Sequence, residues 1–184
     1  MGNLLILNGS PHKSGNVAAL AEQARTAAES KGWNTESEYL NGMNIRPCQA
    51  CNRCRTTGKC GIDDDMQVLY PKLLGADSIL LASPVYFHMY SAQLKTCVDR
   101  WYAFFSSSHE ALSGKKVGVI LTYGNTDLYN SGGINAVHAI ESMCRFLGMT
   151  VVGCVHGTAA APGDASQRPG LMRQAASLGR RLAT

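Results

Sequence analysis

Five runs of apolar or alternating residues, each followed by a stretch of helical composition, fix what this chain can fold into. Residues 3–9 read NLLILNG, the continuous apolar run required of a strand buried on both faces. Residues 77–84 (DSILLASP), 115–124 (KKVGVILTYG) and 149–157 (MTVVGCVHG) repeat the pattern, and 35–40 (TESEYL) alternates as an edge strand does. Between them lie helical stretches. Residues 16–31 are rich in Ala, Glu and Gln and stopped by Gly32; residues 63–76 are led by acids that suit a helix N-terminus. Residues 91–105 and 133–148 follow, and the segment from Pro169 closes the chain.

Five strands alternating with five helices predict an α/β fold, a parallel sheet with helices on both faces. Right-handed crossovers leave few topologies at this length. The expected one is the flavodoxin-like, doubly wound, five-stranded sheet of order 2-1-3-4-5. No repeat or low-complexity linker interrupts the 184 residues, so residues 1–184 are expected to form one domain. Ligands of such sheets bind beyond the carboxyl ends of the strands. That directs attention to residues 9–16, 84–90 and 123–132, and to a cysteine-rich segment after the second strand.

Composition narrows the function classes. Hydrophobic content of 45 % excludes a disordered or fibrous chain, and the formal charge of +4 is modest. Arg173, Arg180 and Arg181 read as a solvated helix face, not as a nucleic-acid patch. No apolar run approaches the ~20 residues that span a bilayer. The first residues lack a basic flank and a small-residue cleavage site. The expectation is a cytoplasmic protein with no membrane and no nucleic-acid partner.

Residues 8–16, NGSPHKSGN, match neither GxxxxGK[ST] nor GxGxxG. They carry the hydrogen-bonding side chains of Ser10, Ser14 and Asn16 ahead of a helix N-terminus, whose free N–H groups and dipole attract anions. His12 and Lys13 add positive charge at the rim. The residues alone leave both an ordinary polar turn and a phosphate site open. In residues 83–90, Pro84 stiffens the strand exit, and Tyr86, Phe87 and His88 supply flat surfaces for an aromatic ligand. Gly132 and Gly133 read as points of mobility. Trp101 and Tyr102 suit a core or a subunit interface, Lys95, Asp99 and Arg100 read as a surface ion-pair set, and His109, His138 and His156 read as packing residues.

Residues 48–60, CQACNRCRTTGKC, hold four of the seven cysteines, Cys48, Cys51, Cys54 and Cys60. In a reducing compartment such clustering argues against disulfides. Structural zinc sites usually separate two CxxC pairs by a dozen or more residues, whereas a run of x2 spacings wraps a cubane cluster. Gly58 in the last gap lets the chain turn back toward a fourth ligand position. Redox-active thiols and zinc stay open beside the cluster. Arg46, Arg53, Arg55 and Lys59 are the cations expected around the thiolates, while Cys97, Cys144 and Cys154 read as small buried hydrophobes.

Residues 9–22, GSPHKSGNVAALAE, resemble the FMN-phosphate loop of NAD(P)H-dependent FMN reductases in the flavodoxin-like superfamily. The resemblance puts Ser10, His12, Ser14, Gly15 and Asn16 at phosphate-contacting positions. Val17 stands where a threonine is usual, so one hydroxyl is missing. Residues 83–100 resemble the segment bordering the isoalloxazine ring, which assigns Pro84, Val85, Tyr86 and Phe87 to the flavin, and Tyr123, Gly124 and Asn125 begin the loop on the ring's other side. The compact cysteine run followed by GIDDDM resembles the iron–sulfur flavoproteins, which carry FMN and one [4Fe–4S] cluster per subunit. The resemblance implies a cluster-binding loop at 46–62 and a homodimer or homotetramer. It further implies an FMN-dependent oxidoreductase moving electrons from ferredoxin or NAD(P)H to a protein or small-molecule acceptor. The alternatives are a cluster-free NAD(P)H-dependent FMN, quinone or nitro reductase, and a non-enzymatic carrier or redox sensor.

Overall fold

The computed structural model describes residues 1–107 and 110–184. His109 lies outside the described residues. The elements are β1 (Asn3–Asn8), α1 (Asn16–Glu29), β2 (Asn34–Tyr39), a 3-10 turn (Leu40–Gly42), α2 (Arg53–Thr57), α3 (Met66–Gly75), β3 (Ser78–Tyr86) and β4 (Met89–Tyr90). They continue with α4 (Ala92–Asp99), α5 (Tyr102–Ser107), β5 (Lys116–Tyr123), α6 (Gly133–Phe146), β6 (Thr150–Thr158) and α7 (Pro169–Leu182).

The five long strands are parallel in the order β2-β1-β3-β5-β6, the flavodoxin-like arrangement expected, with Leu5 of β1 in register with Glu36 and Ile79. The sheet has a sixth strand that the sequence reading lacks. The two-residue β4 folds back antiparallel on the end of β3. Alternation explains why helices cover both faces. Leu4 and Ile6 enter one core with Leu20, Leu80, Ile120 and Leu178, while Leu5 and Leu7 enter the other with Leu69, Leu81, Trp101 and Ile140. Helices α1 and α7 cover the first face; α3 to α6 cover the second.

The helix expected over 91–105 is two helices. The amides of Arg100 and Trp101 bond to Cys97 O and Val98 O, the tight i→i+3 pattern that ends a helix, before α5 resumes at Tyr102. Arg100 is drawn inward at this break and is 1 % exposed, so it does not belong to a surface ion-pair set. Lys95 and Asp99 do form an exposed i,i+4 pair. Trp101 is core at 1 % exposure, and Tyr102 is exposed. Cys97 and Cys144 are fully buried and Cys154 partly so; burial pushes their thiols up to about 12, about 12 and about 11. His138 and His156 are exposed, contrary to their reading as packing residues. Gly132 and Gly133 are buried at the start of α6, packed closely against His88 and Leu128.

Helices α1 and α7 approach so closely at Gly179 that an added Cβ would lie 2.0 Å from Ala24 O. Helix propensity alone would make Gly179→Ala stabilising by about 1 kcal/mol. The clash reverses that sign, for a net loss of about 1–3 kcal/mol. Thermal unfolding of G179A is expected to show a lower midpoint by several degrees.

Candidate functional site

Four strand ends meet at the carboxyl edge of the sheet around a cavity of about 810 Å³. Ser10, His12, Ser14, Gly15, Asn16 and Val17 form one wall, and Pro84, Val85, Tyr86, Tyr123 and Gly124 face them. The cavity thus brings together all the sequence-expected ligand residues except Phe87 and Asn125. Thr122, Ala159, Ala160 and Pro162 also line it. The loop after β6 was not anticipated, because its residues AAAPGD carry no side chain with an obvious role. Its position after the last strand, at the same sheet edge, was the available signal.

Helix α1 opens into this cavity without a side-chain cap, since Gly15 is its N-cap in extended conformation. Its first-turn N–H groups therefore retain their capacity for an anion, at the positive end of the helix dipole. Asn16 is differently engaged. Its amide donates to Ala159 O at 3.1 Å and Ala161 O at 2.8 Å and accepts from Ala165 N at 3.1 Å. It therefore ties the β6 loop to the head of α1. Ser10 is buried, and its hydroxyl accepts the His12 amide at 3.1 Å.

Ser91 locks two of the loops together. Its hydroxyl donates to Gly9 O at 2.6 Å and caps α4 by accepting the Leu94 amide, while its own amide donates to Ser83 Oγ at 2.9 Å. Beyond Tyr86 the chain reverses through Phe87 (φ 45°) and His88 (φ 69°), both left-handed, before β4 pairs back. A two-residue hairpin of this hand usually uses Asn-Gly, so a Phe–His tip stores backbone strain of order 1–3 kcal/mol per residue. Phe87 stands 100 % exposed at that tip. Asn125 is spent inside its own loop, accepting from Thr126 N and donating to Asn130 O. Behind the cavity wall the Tyr123 hydroxyl lies 2.9 Å from His156 Nδ1. Partial desolvation holds the His156 pKa below its ordinary value and the Tyr123 hydroxyl above its own.

The cysteine segment leaves the end of β2 and is fastened by the acids of GIDDDM. Asp65 accepts the Asn44 amide at 2.7 Å, and Asp64 accepts those of Arg46 at 2.9 Å and Met66 at 3.1 Å. Arg100 completes the clamp. It grips Asp64 with both terminal nitrogens, Nη1 to Oδ2 at 2.6 Å and Nη2 to Oδ1 at 3.1 Å, and both side chains are 0 % exposed. Nη1 also donates to Arg46 O at 2.7 Å and Nη2 to Cys60 Sγ at 3.3 Å. Burial raises the Asp64 and Cys60 pKa values, but their hydrogen bonds outweigh it. The Arg100 guanidinium and the Arg46 and Met66 amides bring the Asp64 carboxyl below the usual range. The Ile62 amide, the Tyr70 hydroxyl and Arg100 do the same for the Cys60 thiol. The expected cations Arg46, Arg53, Arg55 and Lys59 are exposed; the cation on sulfur is Arg100, from a distant helix end that sequence spacing could not connect.

The other three cysteines are placed differently. Cys54 is buried on α2; Cys48 and Cys51 are exposed on irregular chain around Ala50 (φ 51°) and Asn52 (φ 55°). Gly58 caps α2 at φ 71°, a left-handed turn that sends the chain back toward Cys60. Among the described residues no three His, Cys, Asp or Glu side chains converge as metal ligands.

A doubly wound parallel sheet of this order, with an uncapped helix N-terminus facing a cavity at its carboxyl edge, defines a flavodoxin-like fold. The chain belongs to the NADPH-dependent FMN reductase family, whose sequence model matches residues 3–161, and it groups there with the iron–sulfur flavoproteins. It is 35 % identical to an iron–sulfur flavoprotein of Methanosarcina thermophila, a match covering 80 % of this chain and 75 % of that one. It is 33 % identical to an iron–sulfur flavoprotein of Methanocaldococcus jannaschii, covering 96 % of this chain and 93 % of the relative. Its fold is shared with the NAD(P)H:quinone oxidoreductase of Methanothermobacter marburgensis, with a TM-score of 0.74, 18 % identity and coverage of 100 % and 98 %. The protein is thus an FMN-dependent oxidoreductase, and the cavity suits that cofactor: the bare α1 N-terminus suits a phosphate, and its wide mouth suits a planar ring. No helix among the described residues is long and apolar enough to cross a membrane.

Two expectations follow from this geometry. Ser91→Ala removes the link between Gly9 and α4 together with the α4 cap, at a cost of about 1–2 kcal/mol, and weakens FMN binding. Parallel urea unfolding and flavin titration read both effects. Asp64→Asn leaves Arg100 buried without its counter-charge and is expected to cost about 3–5 kcal/mol. Because folding lowers the Asp64 pKa, its contribution is full above the unfolded value of about 4 and is lost as pH falls through the lower folded value. The stability gap between wild type and D64N, measured by denaturant unfolding, should therefore narrow below about pH 4.

Proposed function

We propose that this protein is a redox flavoprotein carrying FMN and one [4Fe–4S] cluster, moving electrons between a reduced donor, ferredoxin or NAD(P)H, and an acceptor. The observation that carries this reading is the Cys60 sulfur, which accepts from Nη2 of the buried Arg100 at 3.3 Å inside a four-cysteine segment. Sulfur-directed donors of this kind are what a ligating thiolate requires around it. Cys48, Cys51, Cys54 and Cys60 would hold the cluster, and the exposed, irregular chain bearing Cys48 and Cys51 leaves the sheet undisturbed if it folds around one. When bound, FMN supplies exchange between two-electron and one-electron chemistry and the cluster supplies single-electron transfer.

The residues act as follows in this reading. The α1 first-turn amides of Asn16 and Val17, with Ser10, Ser14 and Gly15, hold the FMN phosphate, and His12 and Lys13 offset its charge at the rim. The backbone of Pro84, Val85 and Tyr86 faces one edge of the ring, while Tyr123 and Gly124 face the other. Phe87, at the strained exposed tip, and Asn125, which braces the third loop, shape the mouth where donor or acceptor enters. Tyr102, Phe105 and Phe146 form a tilted aromatic row with Tyr102 and Phe146 exposed, which supports a homodimer or homotetramer.

A second reading, a cluster-free NAD(P)H-dependent reductase of FMN, quinones or nitro compounds, is supported by the match of residues 3–161 to the NADPH-dependent FMN reductase family model. Iron, sulfide and FMN per chain after anaerobic purification separate the two. The first reading expects about four iron, four sulfide and one FMN per chain, with loss of iron but not FMN in Cys48→Ser and Cys60→Ser. FMN without iron or sulfide in wild type establishes the second. Anaerobic stopped-flow with NADH and with NADPH then identifies the donor; reduction by neither leaves a protein donor such as ferredoxin.

A further inference from the structure

We propose that Asn16 is a positioning residue for the flavin, pinning residues 158–165 as a strap that joins the phosphate end of the cavity to its ring end. This rests on the placement of the FMN phosphate at the head of α1 given above. The two amide hydrogens of the Asn16 side chain go to Ala159 O at 3.1 Å and Ala161 O at 2.8 Å, and its carbonyl oxygen accepts from Ala165 N at 3.1 Å. No side-chain N–H is left over for an anion, so what Asn16 offers a phosphate is its backbone amide. Its three partners span the strap from the end of β6 to the turn before α7. Ala159 and Ala165 set the two feet of the strap in the core under α1, while Ala160 and Pro162 between them line the cavity.

The near foot of the strap is tied to the opposite wall. Ala159 N donates to Tyr123 O at 2.8 Å, and the Thr158 hydroxyl donates to Asn125 O at 2.8 Å and to Thr126 O at 3.3 Å. Tyr123 and Gly124 face the cavity from that loop, and a Cβ at Gly124 would lie in ordinary contact with Ala160 Cβ, at 3.8 Å. A chain of hydrogen bonds therefore runs from the first turn of α1, through the strap, to the loop after β5. Within the strap, Asp164 accepts Ala161 N at 2.8 Å and Asp164 N returns to Ala161 O at 3.2 Å. These bonds fix its shape; Asn16 fixes its place against α1. Residues 160–163 are otherwise exposed, so a strap released by Asn16 has little packing to hold its middle. A wall correctly placed for about a tenth of the time lowers the apparent affinity about tenfold. That loss falls on any flavin, whereas loss of a phosphate contact falls on FMN alone.

The test titrates the full chain, freed of flavin, with FMN and with riboflavin, which has the ring but no phosphate, and follows the quenching of flavin fluorescence. Wild type is compared with Asn16→Ala, Thr158→Val and the double variant. The expected result is that N16A and T158V each weaken both flavins by a similar factor, about tenfold. The double variant is expected to be no weaker than the weaker single one, because cutting either end frees the same strap. Hydrogen exchange in the flavin-free variants should quicken at 158–165 and stay unchanged in β1 and β3, which shows the sheet intact. Wild-type riboflavin affinity in N16A beside weakened FMN would assign the Asn16 side chain to the phosphate and overturn the proposal. Unchanged affinity for both flavins, or additive losses in the double variant, would overturn it as well. Should N16A lose protection throughout the sheet, T158V, which leaves α1 untouched, decides by the same comparison of the two flavins. A wild type that binds FMN no more tightly than riboflavin defeats the phosphate placement itself, which distinguishes that failure from failure of the strap.

Discussion

Burial of the central strands on both faces is the constraint from which the rest of the molecule follows. In β1, Leu4 and Ile6 point into one core while Leu5 and Leu7 point into the other. A strand with no polar side must be covered twice, so the connections have to be helical crossovers returning to parallel neighbours. Parallel strands deliver all their outgoing loops to one edge. The cavity between the loops after β1, β3, β5 and β6 is therefore a topological consequence, and so is the bare N-terminus of α1 that opens into it.

Helix α4 ties the two candidate cofactor regions to that scaffold. It is 8 residues long, about 12 Å at the usual rise. At its head Ser91 holds Gly9 and Ser83, which sets the spacing of the phosphate loop and the ring-side loop. Just past its foot Arg100 holds Asp64, Arg46 and Cys60. Between these ends, Leu94 and Cys97 are fully buried in the core against β1, β3 and α3. A displacement of α4 would shift both regions together. Its packing is thus part of the chemistry although neither residue has a reactive role.

Most of the fold was legible because its signals are local. Each long strand appears as an apolar or alternating run, and each observed bound lies within two residues of the expected one. The phosphate loop was legible for the same reason, its polar side chains and the helix behind it being contiguous in sequence. What was not legible depends on contacts across the chain. The sequence DRWYAFF continues a helical pattern, and only the attraction of Arg100 to Asp64, 36 residues away, marks the break between α4 and α5. Strand β4 escaped notice because Phe87 and His88 occupy turn positions that ordinarily signal themselves with Asn or Gly. The loop after β6 escaped because backbone and methyl groups can line a cavity without any distinctive side chain.

The cysteine segment shows why charge counts along a sequence mislead about electrostatics at a site. Four nearby basic residues looked sufficient to stabilise thiolates, yet all four are solvated. At about 4 Å an ion pair in water is worth about 1 kcal/mol, and several times that where the effective dielectric constant falls to about 20. A single buried guanidinium at hydrogen-bond distance therefore outweighs several flexible surface cations, whose charges are further screened by salt. Burying that cation needs a carboxylate with its own hydrogen bonds, and Asp64 supplies one at the cost of two backbone amides that also fasten the segment. The same acid thus neutralises the arginine, orients it and closes the loop, which makes GIDDDM as much a part of the cysteine site as the cysteines are.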